Sequence, residues 1–253
     1  DLQTTRTLVF VPDGPLHSVA FGALPLAGVA RRLVEEVTVL VAPSIQLARD
    51  LPQPPFKTPR RVVVVGAPDA GPGLPRLREV PAEGDAIAGL YRNPIRPAPA
   101  GVDATADALT NADVFHFSGH ASADKDVPGA TALLLSPKDA LTADRIATLQ
   151  MGRGSRVVLA ACSTARGSSP FGEGPISLAR AFLMAGASGV IASVTEVLDG
   201  ASTRFLVDVH TQLAAHPDVA VALSLAQRQA IARGDPIDSW SPFNAVGALS
   251  RER

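Results

Sequence analysis

Cysteine is nearly absent from this chain: Cys162 is the only one in 253 residues. A single thiol excludes an intrachain disulfide framework and suits a reducing compartment such as the cytoplasm. An excess of one charge is missing too, with 23 Lys and Arg against 24 Asp and Glu. Such a balance carries no nucleic-acid footprint and no polybasic membrane patch. No apolar run approaches the ~20 residues of a membrane-spanning helix, and no signal-peptide pattern opens the chain. Internal repeats and low-complexity tracts are lacking as well. The high Ala, Pro, Arg and Gly content fits a GC-rich bacterial genome and says nothing about activity.

What is present is a series of short apolar runs, each closed by a turn signal. LVFV (8–11) ends at Pro-Asp-Gly, VTVLV (37–41) at Ala42-Pro43, and VVVV (62–65) at Gly66. Continuous apolar runs of this length suit strands covered on both faces, as in a parallel sheet. Ser44 suits an N-cap for a short helix over 45–50, and the Pro-rich 51–59 reads as a connection. A Pro/Gly loop (67–77) precedes a helix over 79–91, with Glu83, Asp85 and Arg92 outward and Ile87 and Leu90 inward. One or two helical turns follow at 105–109, then a strand at 114–117 and a polar loop at 121–130. A strand at 132–135, a helix at 142–149 capped by Thr142 and a strand at 157–161 come next. Residues 172–194 read as loop, buried helix, glycine stop and strand. Helices at 200–214 and 218–232 and a closing strand at 243–249 complete the chain. The alternation predicts an α/β fold, a mostly parallel central sheet with helices on both faces. Ligands in such sheets gather at the carboxyl ends of strands.

Two candidates for chemistry lie at such ends. Cys162 follows the 157–161 run, and His120 follows the 114–117 run and Gly119. A lone cysteine is ordinarily a small buried hydrophobe, but Ser163, Thr164, Ala165, Arg166 and Gly167 make a poor core. A thiol at that edge is accessible, and a nearby imidazole lowers its pKa towards the thiolate. Cys162 and His120 therefore read as a cysteine-protease dyad.

Other chemistries fit less well. His116 and His120 are four apart on a strand, which spans ~13 Å at ~3.3 Å per residue. That is too far for two ligands of one zinc, so His116 reads as inward-packed support and no metal site is expected. Gly167 and Gly172 have phosphate-loop spacing, but Glu173-Gly174 stands where Lys and Ser or Thr would be needed. The G-x-G-x-x-G fingerprint is missing after Val65, and so is the G-x-S-x-G serine elbow, which leaves Ser118 without a nucleophile's setting. Asp13, Glu173, Glu196 and Asp199 read as solvated loop charges.

These stretches resemble the CHAT family, caspase-like domains often attached to TPR repeats. The resemblance rests on LVFVPDGPLHSVAFGALPL (8–26), VAPSIQLAR (41–49), DVFHFSGH (113–120) and VVLAACSTARG (157–167). It continues through GEGPISLARAFLMAGASGVIAS (172–193), VALSLAQRQAIA (221–232) and WSPFNAVG (240–247). It implies a caspase-like sandwich over 1–253, expected to be the C-terminal part of a longer protein. It implies Cys162 as nucleophile and His120 as general base and acid. The implied oxyanion hole consists of the backbone N–H groups of Cys162 and Ala121, without metal or organic cofactor. The implied partners are a protein or peptide substrate and a TPR or other sensor module, with no nucleic acid or membrane. Three departures stand out: Ala121 where glycine is usual, Ser163 where glutamate is common, and Thr195 where an aromatic residue is common. An alanine at 121 keeps the donor but resists φ > 0. The competing expectation is a catalytically weak or inactive scaffold that binds a protein partner through the same cleft.

Overall fold

A computed structural model describes residues 5–46, 58–97, 101–122, 131–152, 154–163, 174–195, 197, 200–216 and 218–248; the side chains of 162, 163 and 174–177 are not among what is described. One sheet contains β1 (Thr7–Phe10), β2 (Thr38–Val41), β3 (Val62–Gly66), β4 (Val114–Ser122), β5 (Ala132–Leu134), β6 (Ala140–Thr142), β7 (Ser155–Ser163), β8 (Ala187–Ser193) and β9 (Phe243–Gly247). Its order is β1-β2-β9-β8-β7-β4-β5-β6, with β3 also paired to β4. The pairs β1/β2, β2/β9, β3/β4, β4/β7 and β7/β8 are parallel, and β4/β5, β5/β6 and β8/β9 are antiparallel. The sheet is therefore mostly parallel, as the apolar runs predict. Val62 to Val65 are all buried, and so is every residue of β4 up to Ala121. Helices cover both faces of such strands.

Those helices are α1 (Leu33–Glu36), α2 (Val80–Ala88), α3 (Val102–Leu109), α4 (Ala143–Ala147), α5 (Gly174–Met184), α6 (Thr203–Ala215), α7 (Val219–Arg233) and α8 (Ile237–Trp240). On one face Phe115 and Phe117 of β4 pack with Leu109 of α3, Ile146 of α4 and Phe182 of α5. On the other, Val114 and Val158 pack with Ile87 of α2, Phe205 and Val209 of α6 and Leu223 of α7. α6 forms because Phe205, Leu206, Val209 and Leu213 recur on one stripe, and all four are buried. Each such side chain contributes ~1.5–3 kcal/mol by leaving water. α7 starts where Asp218 accepts from the N–H groups of Ala220 and Val221, and stops at left-handed Gly234. Thr142 caps α4 by accepting from the Arg145 N–H, as expected.

Several expectations need correction. β4 and β7 extend to Ser122 and Ser163, so His120 and Cys162 lie inside the strand ends instead of beyond them. The pairing partners explain this: β4 and β7 stay in register to the end, and β5 joins β4 from His120 onwards. Glu83 is buried at 7 % exposure, whereas Leu90, past the end of α2, is 43 % exposed. Glu83 is four residues before Ile87 and so shares its inward stripe. The helix over 105–109 begins earlier, at Val102, and the first strand ends at Phe10, leaving Val11 exposed. α1, β6 and α8 have no counterpart among the expected elements. Of the helix expected over 45–50, only 45 and 46 fall among the described residues, and the rest lies outside them. Outside them too are 123–130, the glycine loop from Thr164 through Gly167 and Gly172 to Glu173, and Glu196 and Asp199.

Candidate active site

The site is built on the two strands at the middle of the parallel stretch. β4 and β7 run in register from Val114 opposite Arg156 to Ala121 opposite Ser163. His120 stands opposite Cys162. Register partners of a parallel pair occupy the same sheet face, one strand spacing (~4.8 Å) apart. The sequence thus brings its two candidates together through a shared ladder of apolar residues, Phe115 opposite Val157 and Phe117 opposite Leu159.

β7 outruns its other neighbour at this end, and β4 exchanges β3 for β5. β8 pairs with β7 only as far as Ala192 opposite Leu159. Beyond that point the Ser193 hydroxyl takes over, donating to the Ala161 carbonyl at 2.7 Å. On the other side, β3 accompanies β4 to Gly66 opposite Ser118, and β5 begins at Leu134 opposite His120. The chain leaves the sheet in between. The Ala67 N–H still donates to the Ser118 carbonyl at 2.8 Å, and the loop returns over β4 at Pro75.

The Pro75 carbonyl fixes the histidine. It lies 2.8 Å from His120 Nε2. A carbonyl can only accept, so Nε2 carries the proton and donates. In the neutral ring Nδ1 is then the basic nitrogen. That atom is buried and has no hydrogen-bond partner among the described residues. A ring held by one nitrogen and open at the other is what a general base requires. Pro75 carried no distinct signal in the sequence, because it contributes a backbone oxygen from a loop.

Gly119 opens room on the opposite face. A Cβ there would stand 2.7 Å from Phe117 Cζ and 3.1 Å from both the Ala67 Cβ and the Ala67 carbonyl oxygen. Ala121 lies in β4 opposite Leu133 and Ser163, with its side chain in the core. Asn111 is the one non-glycine with positive φ among the described residues, so Ala121 bears no left-handed strain. Thr195 is exposed, just past β8. Asp13 accepts from the Gly14 N–H at an exposed turn after β1.

Below His120, on the same face of β4, lie His116 and Ser118, both fully buried. His116 Nε2 is 2.7 Å from Ser118 Oγ and 3.3 Å from Glu83 Oε1. Ser118 Oγ donates to the same carboxylate oxygen. His116 Nδ1 is 3.0 Å from His210 Nε2, and His210 Nδ1 is 2.8 Å from the Tyr91 hydroxyl. Thr203 Oγ1 donates to the other Glu83 oxygen at 3.3 Å. One direction satisfies every atom with both rings neutral: Tyr91 to His210, His210 to His116, His116 to Ser118, Ser118 to Glu83. Burial raises the Glu83 carboxyl, but the N–H of the His116 ring and the hydroxyls of Ser118 and Thr203 outweigh it. The net result lies below the ordinary carboxylate value. Burial, His116 and Arg156 hold His210 well below the usual imidazole range. His116 is inward-packed support, as expected. Glu83, His210 and Tyr91 were not anticipated, although the strand period of two already puts His116, Ser118 and His120 on one face. Among the described residues no group of three or more His, Cys, Asp or Glu could hold a metal ion.

The CHAT domain family model matches residues 1–248. Among curated proteins none matches the chain by sequence. Among solved structures, the Arg-specific cysteine proteinase gingipain R is similar at TM-score 0.56 and 13 % identity, over 89 % of this chain and 56 % of that one. The Saccharomyces cerevisiae separase–securin complex is similar at TM-score 0.52 and 14 % identity, over 83 % of this chain and 14 % of that one. The chain thus spans about half of gingipain R and a small part of separase. At these identities the likeness is one of fold, and the fold is caspase-like. Among the described residues no helix is long and apolar enough to cross a membrane.

Proposed function

Because the chain belongs to the CHAT domain family, we propose that it is a caspase-like cysteine endopeptidase acting through Cys162 and His120. The observation that carries this reading is the pairing of His120 opposite Cys162, with the His120 ring tethered at Nε2 and open at Nδ1. In this reading Nδ1 takes the thiol proton, and the thiolate attacks a peptide carbonyl. The tetrahedral oxyanion is met by the oxyanion hole that the family resemblance implies, a backbone donor there contributing ~3 kcal/mol by analogy with other oxyanion holes. His120 returns the proton to the leaving amine, which leaves a thioester. Water, deprotonated by the same nitrogen, hydrolyses the thioester and restores the thiol. The acyl transfer as written needs no metal or organic cofactor. Its substrate is a protein or peptide, its control a TPR or other sensor module outside this chain, and its setting the reducing cytoplasm.

The test is the rate of Cys162 alkylation against pH, in the wild type and in His120→Ala. The expected wild-type midpoint lies well below ~8.5, the free-thiol value, and the variant loses that depression. Identical profiles in the two proteins would overturn the dyad and favour a scaffold that binds its partner without chemistry.

A further inference from the structure

We propose that Glu83 is a positioning residue for His120: by receiving Ser118 and His116 it ties α2 to β4 and so holds the Pro75 carbonyl against the His120 ring. The inference rests on the dyad reading above and assigns the part that sets its geometry.

Pro75 lies on the stretch joining the end of β3 to the start of α2, and Leu77 N–H to Pro68 O (2.8 Å) closes that stretch on itself. Both of its ends are fastened to one residue, Ser118. The Ser118 carbonyl accepts from the Ala67 N–H, where the stretch begins. The Ser118 hydroxyl donates to Glu83, in the first turn of the helix where it ends. Ser118 is two residues before His120 on the same face of β4. Loop and histidine are thereby referred to one point, and Pro75 O meets His120 Nε2 at 2.8 Å.

The choice of a carboxylate is informative. Val80 and Ile87 already bury the apolar stripe of α2, and another apolar residue would pack there without desolvating a charge. A carboxylate adds direction: it receives the Ser118 O–H and the His116 N–H at one oxygen and the Thr203 O–H at the other. The titratable groups around it are His116 on β4, His210 on α6, Tyr91 after α2 and Arg156 on β7. Asp85 pairs with Arg96 on the exposed side of α2 and takes no part.

The experiment is the pH profile of Cys162 alkylation in the full chain. Wild type, His120→Ala, Glu83→Gln, Ser118→Ala and Ile87→Ala are compared, each with its melting temperature. The expected result is that Glu83→Gln and Ser118→Ala move the midpoint most of the way to that of His120→Ala. Below the midpoint, each unit of upward shift lowers the rate about tenfold. Ile87→Ala loosens α2 without touching these hydrogen bonds, so it lowers the melting temperature and leaves the midpoint in place. Ser118→Ala removes one oxygen and is the variant to rely on if Glu83→Gln does not fold. A wild-type midpoint in Ser118→Ala overturns the proposal, and so does an Ile87→Ala shift as large as that of Glu83→Gln. If His120→Ala matches wild type, the dyad reading itself has failed and the proposal falls with it.

Discussion

His116 and His120 occupy the same face of the same strand, four residues apart, and both are buried. Their surroundings differ in one respect. Both nitrogens of His116 are engaged, Nε2 by Ser118 and Glu83 and Nδ1 by His210. Only Nε2 of His120 is engaged among the described residues. A ring with both nitrogens satisfied has nothing to offer a substrate, and it holds the sheet to its helices. A ring with one basic nitrogen left over is destabilising where it stands and useful for that reason. In the proposed enzyme the same side chain serves as mortar at one level of β4 and as a base two repeats of the pleat further on.

The largest expected effect separates the two by chemistry. In the proposed enzyme, His120→Ala lowers peptide cleavage by about 10²–10⁴-fold, the range for removing a general acid–base. It costs only about 1 kcal/mol of stability, the value of one hydrogen bond to a carbonyl. Cleavage assays and denaturant titration of the same variant check both numbers. A loss of activity that tracks unfolding would erase the distinction between the rings.

His116→Ala gives the reverse pattern. It leaves Ser118 and His210 short of a partner and the Glu83 carboxylate less compensated, so the expected cost is about 3 kcal/mol. Urea titration measures it. A cost no greater than that of His120→Ala would mean that the lower network carries little of the fold.

The sheet was legible in the sequence because apolar runs such as VVVV (62–65) and VFHF (114–117) state their own burial. Cys162 and His120 stood out as candidates because small and polar residues follow such runs near the strand ends. Glu83 was not legible, because a charged residue is read as outward until its partners are known. Its spacing of four from Ile87 was the available signal. Pro75 was illegible in a stronger sense, since a backbone carbonyl has no residue identity. The strand β6 and the short helices α1 and α8 are set by tertiary contacts. They run to three, four and four residues, too few for a hydrophobic period to declare itself.

The pH dependence of stability sharpens the comparison from the side of the lower network. An unfolded His210 titrates near 6.5, and the folded ring titrates well below its ordinary value. Between those two points the unfolded chain binds a proton that the folded one does not. Stability is therefore complete above about pH 6.5 and falls as pH drops below it, by up to about 1.4 kcal/mol per pH unit. Glu83 adds a second window. Its folded value is depressed, so its contribution is present above the ordinary carboxyl pKa and is lost as pH falls through the folded one. Urea midpoints from pH 7.5 to 5 should decline in the wild type and flatten in His210→Leu. An equal slope in both proteins would place the proton uptake elsewhere.

Tyr91→Phe is the smallest change and tests how far the two levels are separate. Its hydroxyl stands at the end of the network remote from Glu83, 2.8 Å from His210 Nδ1. If each member donates to the next, that hydroxyl is the first donor, and its removal leaves one buried acceptor on His210 unpaired. The expected cost is about 1 kcal/mol. The remaining links, His210 to His116, Ser118 and Glu83, keep their partners, so the Pro75 loop is undisturbed and Cys162 alkylation keeps its wild-type pH midpoint. Nitrogen chemical shifts of the His210 ring check the direction directly, with the proton on Nε2 in both proteins. A proton on Nδ1 in the wild type would reverse the chain, making His116 a donor at both nitrogens and therefore charged. The contrast between the two histidines would then be one of charge as well as of satisfaction, and His116 would act on His120 through its field along β4.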